Sequence, residues 1–186
     1  MRQNVAPFIA VLVLGGCAQR LHPNPLEGQY RYTCCNVRYE RERVAERNLQ
    51  QGSLLPAGTR VRIDEIRKNR ITFKPDGAPI LMLVFVGREG YLSLDEYLER
   101  LFVTEDQRPA IEQLPKDVSS AVRQARVLPG MTRDQVLMAL GYPPVDLTPV
   151  LSSPNWRYFL TRREVLEVFF ESDTVVRVSQ QTDAEW

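Results

Sequence analysis

The sequence has one histidine, His22, among 186 residues. Triad hydrolases and cysteine proteases place an imidazole beside their nucleophile as base, and a single histidine between Leu21 and Pro23 is badly placed for that work. The chain has no GxSxG, no GxGxxG after a strand and no phosphate-binding Walker loop, so the usual scaffolds for acyl transfer and nucleotide chemistry are missing. Its three cysteines include no spaced pair, and two cysteines with one histidine are too few for a zinc site. No cofactor, metal or small-molecule substrate is therefore expected. Charge of one sign is also missing. The formal net charge is +1, and Glu40, Glu42 and Glu46 interleave with the basic residues between Arg38 and Arg47, so nothing attracts nucleic acid. What remains is 44% hydrophobic and 25% charged, the composition of a folded chain with a buried core and not of a disordered or multispanning one.

The longest apolar stretch, Val5 to Leu14, is broken by Pro7. About a dozen helical residues reach about 18 Å, short of the roughly 30 Å of a bilayer's hydrocarbon. Preceded by Arg2 and followed by Gly15 and Gly16, it reads as a secretory signal over residues 1–16. Leu14-Gly15-Gly16-Cys17 resembles the lipobox of bacterial lipoproteins. That resemblance implies cleavage before Cys17, palmitate-type acylation of its sulfur and attachment to a membrane, where two or more acyl chains hold stably. Ala18 after the cysteine is similar to outer-membrane-destined lipoproteins, so the expected location is the outer membrane, facing the periplasm. Ala18 to Gly28, with Pro23, Asn24 and Pro25, reads as a tether.

Residues 29–104 read as a small β-rich module. Gln29 to Tyr39 alternates as one strand, which would put Cys34 and Cys35 on opposite faces. Adjacent Cα atoms lie about 3.8 Å apart, closer than the usual disulfide range, so the two are not expected to bond to each other. Leu55-Pro56-Ala57-Gly58 suits a type I turn into the alternating strand Thr59, Val61, Ile63. Lys68-Asn69 turns it back into Ile71 and Phe73, and Asp76-Gly77 opens a turn into Ile80–Val86, apolar on both faces and hence a central strand. Ser93 and Glu96 form a capping box for a helix with Leu94, Tyr97, Leu98 and Leu101 on one side. The turn-and-strand stretch from Leu55 to Val61 resembles bacterial SH3-like domains. Such a half would bind cell-wall glycan or peptide, with Tyr30, Tyr32 or Tyr39 in a groove.

Residues 105–186 read as two helices and three strands, an α+β layer. Pro115 opens a helix with Val118, Ala121, Val122 and Ala125 on one face, stopped by Leu128-Pro129-Gly130. Thr132 and Gln135 box the next helix, Met131 staples it to Val136, and Gly141 ends it. Trp156, Tyr158 and Leu160 alternate in one strand, Leu166, Val168 and Phe170 in a second, Val176 and Val178 in a third, with Ser172-Asp173 turning the last pair. Pro129-Gly130-Met131-Thr132, Gln135-Val136, Leu140-Gly141, Pro143, Trp156-Arg157-Tyr158 and Phe169-Phe170, in that order, resemble the SmpA/OmlA family of BamE-like outer-membrane lipoproteins. The resemblance implies an ααβββ fold and a non-enzymatic, protein-binding role in outer-membrane protein assembly or envelope integrity. The additional module before it departs from the minimal family pattern and leaves membership of the assembly complex open.

Most of the matched residues read as fold determinants, with Trp156 and Tyr158 in the core. The connection from Tyr142 to Asn155 is long and carries Tyr142, Val145 and Leu147, the candidate partner contacts. The alternative, equally open, is that these side chains fold back over the sheet. A carboxylate hydrolase using Asp95, Glu96 or Asp134 is the weakest of the three functional readings.

Overall fold

The computed structural model describes residues 24–87 and 92–182. The expected signal, Cys17, His22 and most of the tether lie outside the described residues. No described helix is long and apolar enough to cross a membrane.

Seven strands come first: β1 (Tyr30–Thr33), β2 (Val37–Glu40), β3 (Arg43–Ala45), β4 (Ser53–Leu55), β5 (Arg60–Arg67), β6 (Arg70–Pro75) and β7 (Leu81–Val84). Helix α1 (Leu94–Leu101), strand β8 (Phe102–Val103) and helices α2 (Arg108–Glu112), α3 (Lys116–Arg123) and α4 (Arg133–Leu140) lead into β9 (Asn155–Phe159), β10 (Glu164–Glu171) and β11 (Thr174–Thr182). The fold is α+β. The first eight strands form one sheet in the order β4-β2-β3-β7-β6-β5-β1-β8, and the last three an antiparallel sheet β11-β10-β9.

β1 and β2 are seventh and second in that order, yet only Cys34, Cys35 and Asn36 separate them in the chain. Four residue steps span at most about 14 Å. Five inter-strand steps of about 4.8 Å would need about 24 Å in a flat sheet. The eight-stranded sheet is therefore strongly curled, with its two ends brought together. Val61, Ile63, Ile71, Phe73, Leu81 and Leu83 fill its inside, and Leu98, Leu101 and Phe102 cover them, the rings of Phe73 and Phe102 meeting edge-on at 5.0 Å. The Ser93 side chain accepts from Glu96 N and Glu96 accepts from Ser93 N at 2.8 Å, the capping box that starts α1.

Several local expectations are corrected. The single strand over Gln29–Tyr39 is two strands, because the chain bends at Cys34 and Cys35. That bend removes the alternation that would have separated the two sulfurs, and the cysteines are joined as an adjacent-residue disulfide. The turn before β5 lies one residue later than expected: Thr59 N donates to Pro56 O at 3.2 Å, and Gly58 sits at the third position with φ +75°. That is the position at which a type II turn requires glycine. β7 is central, between β3 and β6, but burial alternates along it, and Ile80 and Val86 beyond its ends are exposed. A short extra helix, α2, precedes the two that were expected.

The second core lies between α3, α4 and one face of β9–β11. It contains Val122, Met131, Val136, Ala139, Trp156, Tyr158, Val168 and Phe170, joined by Ala57 from the turn after β4. Thr132 and Gln135 close the capping box of α4, at 3.0 Å from Thr132 N to Gln135 Oε1. In β11 the buried residue is Val175 and not Val176, which is 45% exposed. Phe169 pairs with Arg177 and Phe170 with Val175, so a bulge takes Val176 out of the ladder and turns it outward. Gly130 N donates to Val175 O and Val175 N to Met131 O, each at 2.8 Å, so the segment before α4 extends the sheet beside the start of β11.

Candidate partner-binding cleft

The last carbonyls of a helix have no partner within it. At the end of α4, and at one carbonyl of α3, side chains from the bend and loop of the N-terminal sheet supply partners. Asn36, buried at the bend between β1 and β2, donates through Nδ2 to Val122 O at 2.5 Å and Ala139 O at 3.0 Å, while its Oδ1 accepts from Ala57 N at 2.9 Å. Its own backbone N–H donates to Met138 O at 3.0 Å. Asn48 Nδ2 donates to Leu140 O at 2.6 Å and Tyr142 O at 2.9 Å, and Gln50 Nε2 to Leu140 O at 3.1 Å. Gly141, at φ +77°, fits because a Cβ there would stand 3.0 Å from Asn48 Nδ2 and 3.5 Å from Cys35 Sγ. The buried Tyr158 hydroxyl donates to Gly141 O at 3.0 Å, and burial pushes its pKa well up.

This seam fixes where the chain leaves α4. Pro143 and Pro144 are buried, and Pro144 O accepts from Leu147 N at 3.0 Å and Thr148 N at 2.8 Å. Thr148 is buried and its hydroxyl accepts from Arg157 N at 3.0 Å, so the middle of the connection is tied back onto β9. Leu151 packs against the second core and its carbonyl accepts from Trp156 Nε1 at 3.0 Å. Of Val145, Leu147, Val150 and Leu151 in this connection, Val150 is the exposed one. Tyr142, Val145 and Leu147 are half-buried and line clefts between the connection and the N-terminal sheet.

The first cleft lies between β2, β3, α1 and the residues from Gly141 to Asp146, with a volume of about 120 Å³. Tyr142, Pro143, Pro144 and Val145 form one wall, and Val37, Val44, Ala45, Tyr97 and Leu101 the other. Arg100 stands 5.4 Å above the Tyr142 ring. The ring of Tyr97 packs on Phe85 at 5.2 Å, and its hydroxyl is pushed up first by burial and then by the negative charge of Glu46. Arg47 and Asp146 pair at 3.3 Å across the seam. On the far side of that pair a second cleft holds Leu147 together with Leu49, Phe159 and Arg162. The partner contacts read from sequence are thus split: Tyr142 and Val145 in one cleft, Leu147 in the other. Sequence reading missed the N-terminal contribution, Arg47, Tyr97 and Arg100, because periodicity gives no register between two separate sheets.

The other candidate sites are not assembled. Tyr30 is 50% exposed under Arg60, whose guanidinium lies 3.8 Å from the ring centre. Tyr32 shares its strand, while Tyr39 packs against the first core on β2, so the three tyrosines do not line one groove. Asp95 and Glu96 start α1 and Asp134 starts α4. Glu96 is held in the capping box, and its hydrogen bonds from Ser93 keep its carboxyl below the ordinary glutamate range. No cluster of three metal-binding side chains occurs among the described residues.

Residues 121–180, running from the end of α3 through α4 into β11, match the family model described as the outer membrane protein assembly factor BamE domain. This part of the chain is similar to a BamE domain. No curated protein and no solved structure matches the chain. The BamE-like stretch contains every helix carbonyl that Asn36, Asn48 and Gln50 satisfy, and the whole of the Tyr142–Asn155 connection. The curled sheet lies outside the match yet provides one wall of the first cleft and side-chain caps on α3 and α4.

Proposed function

We propose that the protein is an envelope scaffold of the outer membrane, lipid-anchored through Cys17 and facing the periplasm. It holds a protein partner in outer-membrane protein assembly or in maintaining the envelope. In this reading residues 17–28 are the tether, 29–104 a β-rich module and 105–186 the BamE-like module, with Tyr142, Val145 and Leu147 among the partner contacts. The match of residues 121–180 to an outer membrane assembly factor domain is the observation that carries it. The seam supports a scaffold of fixed shape. Polar side chains of the first sheet occupy the ends of both main helices, so the two parts present one surface to a partner.

The test is crosslinking from photoreactive residues at positions 142, 145 and 147 in the lipidated protein, followed by purification from detergent-solubilised membranes. A discrete protein adduct is the expected result, and recovery of lipid alone overturns the reading. Metabolic palmitate labelling checks the anchor: label should appear on the natural chain and be absent from Cys17→Ser.

A further inference from the structure

The cleft lined by Tyr142 and Val145 carries an excess of positive charge, with Arg38, Arg47 and Arg100 set against Glu46 and Asp146. Both carboxylates that line it are already engaged, since Glu46 accepts from the backbone N–H groups of Val86 and Gly87 and Asp146 pairs with Arg47. Arg38 lines the same cleft, and its Nε is buried without a hydrogen-bond partner although its Nη1 donates to Gly52 O at 3.1 Å. Arg100 lies over Tyr142 and four residues after Glu96, and among the described residues it forms no ion pair. A buried donor left without an acceptor costs on the order of 1–3 kcal/mol. An anion that the Arg38 guanidinium turned to meet would recover that energy. Apart from Asn36 and Asn48 the other described side chains of the walls are apolar, and among them stands Val86, 77% exposed, the most exposed large apolar side chain among the described residues.

We infer that this cleft takes a segment of a partner protein that carries a carboxylate next to an apolar or aromatic side chain. The carboxylate is received by Arg38 and Arg100, and the apolar group rests between Tyr142, Val145 and Val86. A volume of about 120 Å³ suits one side chain and its neighbouring carboxylate, not a folded element. Charge-assisted hydrogen bonds to guanidinium are the stronger kind and fix orientation. The assignment deepens the scaffold reading, on which it rests for the existence of a protein partner.

The experiment titrates the full-length, 15N-labelled chain in detergent micelles with N-acetyl-phenylalanine, which has a free carboxylate, and in parallel with its amide. The acid should saturate amide shifts in Val37–Arg47 and Tyr142–Asp146 with a Kd on the order of 1–10 mM, as a single anchoring group gives. The amide, Arg100→Ala and Arg38→Gln should each weaken binding by at least about fivefold, and Arg100→Lys should restore part of the loss, an electrostatic contact being worth about 1 kcal/mol or more. Equal binding of acid and amide, shifts confined to other regions, or no saturation by about 100 mM overturns the assignment. If crosslinking from position 142 or 145 still traps a protein while this titration fails, the scaffold reading stands and the carboxylate assignment falls.

Discussion

The side-chain amide of Asn36 donates to the main-chain carbonyl of Ala139 at 3.0 Å, joining residues 103 positions apart in sequence. The same group reaches Val122 O, and its oxygen receives Ala57 N–H, so one buried side chain ties the bend after β1, the turn after β4 and the ends of α3 and α4. Replacing it by alanine strands Ala139 O and the Ala57 N–H out of water, each at about 1–3 kcal/mol before relaxation, while Val122 O keeps the N–H of Ala125. Asn36→Ala should therefore lower unfolding free energy by about 3 kcal/mol in urea titration. Asn36→Asp should cost more, because it keeps the acceptor for Ala57 but faces a carboxylate against two carbonyl oxygens. An aspartate variant as stable as the natural chain would show that the seam is solvated.

Arg133 is the corresponding hub of the BamE-like part. Its guanidinium lies 4.1 Å from the Phe170 ring centre and 5.1 Å from that of Trp156, donates to Leu151 O at 2.9 Å and pairs with Asp173 at 3.0 Å. It thereby pins the start of α4 to the β10–β11 turn and to the end of the Tyr142–Asn155 connection. Arg133→Ala should cost about 2 kcal/mol, the sum of a partly desolvated cation–π contact and one charged hydrogen bond. Arg133→Lys should recover less than half, since an ammonium cannot stack and fork together. Trp156 fluorescence during urea unfolding reads both variants.

The elements with local signatures were legible. Ser93 with Glu96 and Thr132 with Gln135 announced two helix starts, and both boxes are closed. Ser172 and Asp173, both at positive φ, turn β10 into β11 at the expected place. Trp156 and Tyr158 are buried as alternation required. What failed had non-local causes. A bulge opposite Phe169 and Phe170 exchanged Val176 for Val175, and a bend at two cysteines broke an alternating run that reads as one strand. Tyr142 and Val145 were recognisable as candidates from the length and apolar content of their connection. The arginines facing them were not, because Arg38 and Arg100 look like ordinary surface residues until the curled sheet brings them to the same cleft.

Glu96 gives a pH dependence of defined sign. Its folded carboxyl lies below the ordinary glutamate value, chiefly through the hydrogen bond from the Ser93 backbone and then that from the Ser93 hydroxyl. A depressed carboxyl contributes stability that is complete above the unfolded value, near 4.3, and is lost as pH falls through the lower folded value. The start of α1 should therefore fray only in acid, seen as loss of the downfield Ser93 amide shift with the midpoint of the Glu96 side-chain titration. Glu96→Gln should keep the box and abolish that midpoint. A natural Glu96 titrating at or above the ordinary glutamate value would contradict the closed box.

Cys34 and Cys35 supply the last test. With the two sulfurs joined, the described part of the chain has no free thiol, and the remaining cysteine, Cys17, is the one expected to be acylated. Protein isolated under oxidising conditions and unfolded in guanidinium should therefore show no reactive thiol, and two per chain after treatment with a dithiol. Cys34→Ser should show one without reduction. The ring closed by neighbouring residues constrains the unfolded chain far less than a long loop, so the stability lost should be small, on the order of 1 kcal/mol. The larger effect should be local: Asn36 follows the pair, and without the bond its hold on Val122 O and Ala139 O loosens, raising hydrogen exchange at the Ala57 amide ahead of that in β9–β11. Two reactive thiols in the unreduced protein would exclude the bond, and unchanged exchange at Ala57 in Cys34→Ser would separate it from the seam.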